Sequence, residues 1–138
     1  MIEAIAVFAH VVFGALWTGA VVFVALVASD VNRGTSIDLS SAVVDRLRDV
    51  SRASAVVTFL SGGYLASGYG GSYFLQSTRG LLLSAMVLLW LVLMVTVEIG
   101  AARTQSADAD GETPLKLAGV AALLLLVDVG LLLSGLGV

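Results

Sequence analysis

The sequence predicts an all-α protein, an integral membrane antiparallel four-helix bundle, and three observations carry that prediction. Of the 138 residues, 59% are apolar and the mean hydropathy is +1.04, far from the balance of a soluble globular domain. A membrane span needs about 20 mostly apolar residues, and four segments supply them: 4–28, 41–68, 79–103 and 114–137. The connections between them are short, which joins antiparallel neighbours and leaves residues 1–138 as a single domain with the lipid bilayer as its solvent.

The first segment, AIAVFAHVVFGALWTGAVVFVALVA over 4–28, carries the only histidine, His10. No cleaved leader is expected here, because the start MIEA lacks a basic n-region and the apolar run exceeds a usual h-region. Residues 29–41, SDVNRGTSIDLSS, have the composition of a surface loop, with Ser40 or Ser41 placed to cap the next helix. That helix opens amphipathic, with Asp45, Arg46, Arg48, Asp49 and Arg52, and turns apolar from Ala53 onward. Its first turns are expected in the cytoplasm or among headgroups. Gly62 and Gly63 near its far end permit close helix approach.

Residues 67–78, SGYGGSYFLQST, mix glycines with Tyr69, Tyr73 and Phe74, which suits an aromatic anchor at the membrane interface. Arg79 then opens the third helix, which ends near Arg103. The acidic stretch TQSADADGETP over 104–114 reads as a solvated turn, with Pro114 at the first helical position of the last span. Six of the seven basic residues, Arg33, Arg46, Arg48, Arg52, Arg103 and Lys116, flank the first and third connections, and only Arg79 lies opposite. Basic loops stay inside. The expectation is a multi-pass cell-membrane protein with both termini outside.

Several classes are excluded. Without cysteine there is no disulfide, thiolate metal site or thiol redox chemistry. A net charge of −3 argues for no nucleic-acid partner. There is no glycine-rich phosphate loop, no zinc-binding histidine pair and no Ser-His-Asp set, so no enzyme class and no catalytic residue are indicated.

The embedded polar groups remain, since ionisable groups in lipid are costly and tend to mark sites. At ~1.5 Å of rise per residue, His10, Tyr64, Arg79 and Asp128 all fall in the outer half. Arg52 and Glu98 fall together in the inner third, where a structural ion pair tying helix 2 to helix 3 is expected. His10 and Trp17 share one helix face, with Gly14 between them leaving it open to a neighbouring helix or a planar ligand. His10 has three readings: a buried histidine satisfied by a helix–helix hydrogen bond, an axial ligand to haem iron, or a copper ligand. Asp128 either hydrogen-bonds a neighbouring helix as a neutral acid or accepts from His10 and fixes its tautomer. Met86, Trp90 and Met94 share a face of helix 3, a stripe that reads as packing. Thr18, Thr58, Ser61, Ser84 and Thr96 read as helix–helix glue.

The run His10, Trp17, Thr18, Gly19 resembles the opening helix of the CopD-like (copper resistance D) membrane family, which HemJ-type protoporphyrinogen oxidases share. The continuation resembles it too: Arg52 with Ser54, Gly62-Gly63, and Arg79-Gly80 opening helix 3. The resemblance implies a four-helix membrane domain for transport or handling of copper or, from the HemJ side, haem binding through His10. The chain departs from the family in having no second histidine and no methionine-rich or cysteine-rich path. Three functions follow as expectations. One is CopD-like handling of copper or a related cofactor, with His10 as the metal ligand. Another is binding of haem b, with His10 axial, Trp17 and Gly14 lining the ring and Arg79 near a propionate. The last is a non-catalytic subunit of a larger membrane complex or homo-oligomer.

Overall fold

The computed structural model describes residues 1–31, 41–106 and 111–134. They form α1 (Ile2–Val31), α2 (Ser41–Ala66), the single-turn α3 (Tyr73–Gln76), α4 (Thr78–Thr104) and α5 (Glu112–Leu133), with no strand among the described residues. Residues 32–40, with Arg33 and the candidate cap Ser40, lie outside the described residues, as do 107–110 and 135–138, the end of the expected last span.

Three helical stretches are long and apolar enough to cross a membrane: Ile2–Ala28, Thr78–Thr104 and Glu112–Leu133. The expected second span is a helix of comparable length but does not join them. Its first half carries Asp45, Arg46, Arg48, Asp49 and Arg52, and its second half spends positions on Ser54, Thr58, Ser61, Gly62 and Gly63.

Packing runs α2 on α1, α1 on α5, α5 on α4 and α4 on α2, with α3 tucked against α4. Among the described residues α1 and α4 share no comparable interface, nor do α2 and α5. The interior is made of small and β-branched residues around Trp17, Leu93 and Leu115: Val21, Ala28, Val97, Ala118 and Ala122 are buried. Close approach follows from the small residues. A Cβ at Gly119 would stand 2.6 Å from the Cβ of Ala25, and one at Gly100 would stand 2.8 Å from Cγ of Leu115.

The outside is the reverse of a soluble protein. Phe23, Phe59, Leu60, Leu88, Val95 and Leu123 are exposed, while Ser51, Ser54, Thr58 and Ser61 are buried. Large apolar side chains outward and small or hydroxyl side chains inward is the distribution expected when the solvent is hydrocarbon, because burial of leucine then yields no hydrophobic gain and close packing decides.

The expected aromatic loop contains α3. Tyr69 and Tyr73 stack with ring centroids 4.6 Å apart, and Phe74 meets both edge-on. Ser77 caps α4 by accepting from the backbone N–H of Gly80 at 2.9 Å. Pro114 is the third residue of α5, not the first. The first four N–H groups of a helix have no intrahelical acceptor, so proline is tolerated there as well.

Candidate functional site

The site grows from one stripe of α2. Ser51, Ser54, Thr58 and Ser61 recur at helical spacing and are all buried. Two of these hydroxyls give their protons to their own helix, Thr58 Oγ1 to the carbonyl of Ser54 at 2.7 Å and Ser61 Oγ to that of Val57 at 2.6 Å. Their lone pairs are then left for neighbouring helices. Trp90 Nε1 of α4 donates to Thr58 Oγ1 at 3.2 Å, and Trp17 Nε1 of α1 donates to Ser51 Oγ at 2.9 Å.

His10 docks on the same stripe. Its Nδ1 is 3.1 Å from the carbonyl oxygen of Thr58 and 3.2 Å from Ser61 Oγ. The carbonyl can only accept, and the proton of Ser61 is committed to Val57, so in the neutral ring the proton sits on Nδ1 and Nε2 keeps its lone pair. Nε2 has no hydrogen-bond partner among the described residues. The ring lies directly on α2 because residue 62 is glycine: a Cβ there would stand 2.9 Å from His10 Cε1.

Two cavities meet at His10. The deeper, of about 300 Å³, is walled by Gly14, Trp17 and Thr18 of α1, Thr58 of α2, and Leu125 and Val129 of α5. The outer, of about 550 Å³, opens past Glu3, Phe59, Gly62, Tyr69, Phe74 and Arg79. His10, Met86, Trp90, Leu132 and Leu133 belong to both. Arg79 makes no ion pair among the described residues. Trp17 and Trp90 meet edge-to-face with centroids 6.2 Å apart, closing the inner end.

Of the residues expected at the site, His10, Gly14 and Trp17 line the deeper cavity and Arg79 the outer one. Tyr64 is half exposed and lines neither. Asp128 is buried at 6% exposure, also lines neither cavity, and its Oδ2 has no hydrogen-bond partner. The anticipated alternative in which Asp128 fixes the tautomer of His10 is therefore corrected: the Thr58 carbonyl and Ser61 do so. Arg52 and Glu98 pair as expected, Nε to Oε1 at 2.6 Å and Nη2 to Oε2 at 2.9 Å. Arg48, which had no assigned role, adds a third bond to Oε2 at 2.9 Å.

Ser51, Thr58 as the hub of two helices, and the seat at Gly62 are what sequence reasoning missed. The signal was present as the spacing of Ser51, Ser54, Thr58 and Ser61, which places four hydroxyls on one face. Comparison with family models, with curated proteins and with solved structures finds no match to this chain.

Proposed function

We propose that the chain is a membrane-embedded antiparallel four-helix bundle, termini outside, that binds haem b through His10 Nε2. The bundle reading is supported by the rungs between helices. Position rises along one helix as it falls along the next, from His10 with Ser61 to Trp17 with Ser51, and from Trp90 with Thr58 to Glu98 with Arg52. Orientation rests on the basic residues around the first and third connections.

One observation carries the haem reading: Nδ1–H of His10 is engaged by a backbone carbonyl, Nε2 has no hydrogen-bond partner among the described residues, and the residue lines two largely apolar cavities. An imidazole that ligates a metal is held in this way, its other nitrogen donating to a fixed acceptor that sets tautomer and ring orientation. The donor set decides the kind of metal. No group of three His, Cys, Asp or Glu gathers among the described residues, so a bare ion finds few ligands. A tetrapyrrole brings its own four nitrogens and asks the protein for one or two. Gly14 leaves its stretch of the α1 wall open, the indoles of Trp17 and Trp90 line the space, and Arg79, which makes no ion pair among the described residues, offers a cation to a carboxylate at the other end. Haem, when bound, supplies one-electron chemistry.

The proposed kinship with the CopD-like family rests on the same residues, His10, Trp17, Arg52, Gly62 and Arg79. Copper handling, the other expectation from that kinship, has thinner support because of the donor count. An absorption spectrum of the full chain in mild detergent after addition of haem b tests the reading. A Soret band that shifts on binding and is lost in His10→Ala is expected. An unshifted spectrum in a folded wild-type protein sinks it.

A further inference from the structure

We infer that Met86 is the second axial ligand to the iron that His10 holds, an inference that rests on the haem reading. Five residues wall both cavities: His10, Met86, Trp90, Leu132 and Leu133. Only two of them carry an atom that ligates haem iron, the imidazole of His10 and the thioether of Met86, since the indole nitrogen of Trp90 is a donor only.

The helix register brings these two to one level. Glu98 of α4 meets Arg52 of α2, and two turns back along α4 Trp90 meets Thr58. One turn further back on the same face stands Met86, which is then level with Ser61 and Gly62, where the imidazole rests. His10 is on α1 and Met86 on α4, two helices that share no extended interface among the described residues and touch through Trp17 and Trp90. The two donors thus line the same two cavities from different helices, within which a single group could reach both.

The remaining methionines do not compete. Met94 lies two turns deeper and lines neither cavity, and Met1 is almost fully exposed at the chain start. Met86 is partly buried against the core, and its unbranched chain adapts readily to the position of a bound group.

Histidine–methionine ligation raises the reduction potential of haem, and two axial ligands make the iron six-coordinate and low-spin. The test uses the full chain in mild detergent reconstituted with haem b, read by absorption, electron paramagnetic resonance and redox titration. Wild type is expected to be low-spin. Met86→Leu, close in volume and so expected to fold, keeps the haem but becomes high-spin with a lower potential. Met86→His returns the low-spin spectrum at a potential below wild type. If Met86→Leu binds haem with unchanged spin state and potential, the inference is overturned while the haem reading stands. If wild type binds no haem, both fall.

Discussion

The imidazole of His10 rests on the backbone of α2 at Gly62, with its Nδ1 tied one turn earlier to the Thr58 carbonyl. The contact makes residue 62 a specificity position for the ring. Gly62→Ala sets a methyl group 2.9 Å from Cε1, closer than carbon atoms tolerate, so the ring has to turn and the bond from Nδ1 is lost. Overpacking of this kind costs about 1–3 kcal/mol. Haem affinity, followed by Soret titration, should fall at least tenfold by the loss of one oriented ligand. Gly19→Ala is the control, because nothing lies within 4 Å of a Cβ there and the residue lines neither cavity, and it should change stability by less than about 0.5 kcal/mol.

Trp17 and Ser51 form the buried rung below that seat, and the pair should be strongly coupled. Ser51→Ala strands the indole N–H in the interior, whereas Trp17→Phe removes the donor but opens space beside Val21. Interhelical hydrogen bonds in membranes average about 0.6 kcal/mol, while an unsatisfied buried group costs about 1–3 kcal/mol. Ser51→Ala is therefore expected to lie nearer the second figure. A double-mutant cycle in mixed-micelle unfolding should return a coupling of about 1 kcal/mol; additive losses would mean that the bond contributes nothing.

Hydropathy made three helices legible as long and apolar enough to cross a membrane, while the expected second span is a helix too rich in charged and small polar residues to join them. The four expected helices begin, and the first three end, within a few residues of the observed bounds, since Arg79 and Pro114 punctuate the chain in ways that depend only on local chemistry; the expected end of the last, residue 137, lies outside the described residues. The site was legible only in part. Counting residues placed His10, Tyr64, Arg79 and Asp128 in one half and put Gly14 and Trp17 on the face of His10; of these, Tyr64 and Asp128 line neither cavity. Which way each helix is rotated depends on the close contact of Gly119 with Ala25 and of Gly100 with Leu115, which no local pattern encodes. That Asp128 lines neither cavity at His10 depends on this rotation. The part of Arg48 is hidden in the sequence because a single carboxylate with two oxygens receives both it and Arg52, a sharing that residue spacing does not reveal.

Glu98 joins α4 to the first half of α2 by receiving both Arg48 and Arg52. Glu98→Gln leaves two guanidinium groups side by side without their shared anion. It should lower the melting temperature more than Arg52→Gln or Arg48→Gln, each of which leaves one pair intact. High salt should narrow the difference for Arg52, whose side chain is 55% exposed, more than for Arg48 at 29%. Equal melting temperatures for all three variants would show that the cluster does not hold the helices together.

Asp128 supplies the converse case, a buried polar group that the cavity does not use. Its Oδ2 has no partner, and leaving such an atom unsatisfied costs about 1–3 kcal/mol. Leucine at this position removes the unsatisfied atom and adds apolar volume among Leu125, Ala121 and Ala122 on the buried face of α5. Asp128→Leu is therefore expected to raise stability by about 1 kcal/mol or more, measured by thermal unfolding in detergent. Haem affinity should be unchanged, because Asp128 lines neither cavity. Asp128→Asn is the discriminating partner: it keeps the volume and both polar atoms, so it should gain less than leucine. A loss of stability in Asp128→Leu together with weaker haem binding would place Asp128 in the working site and reverse its separation from His10.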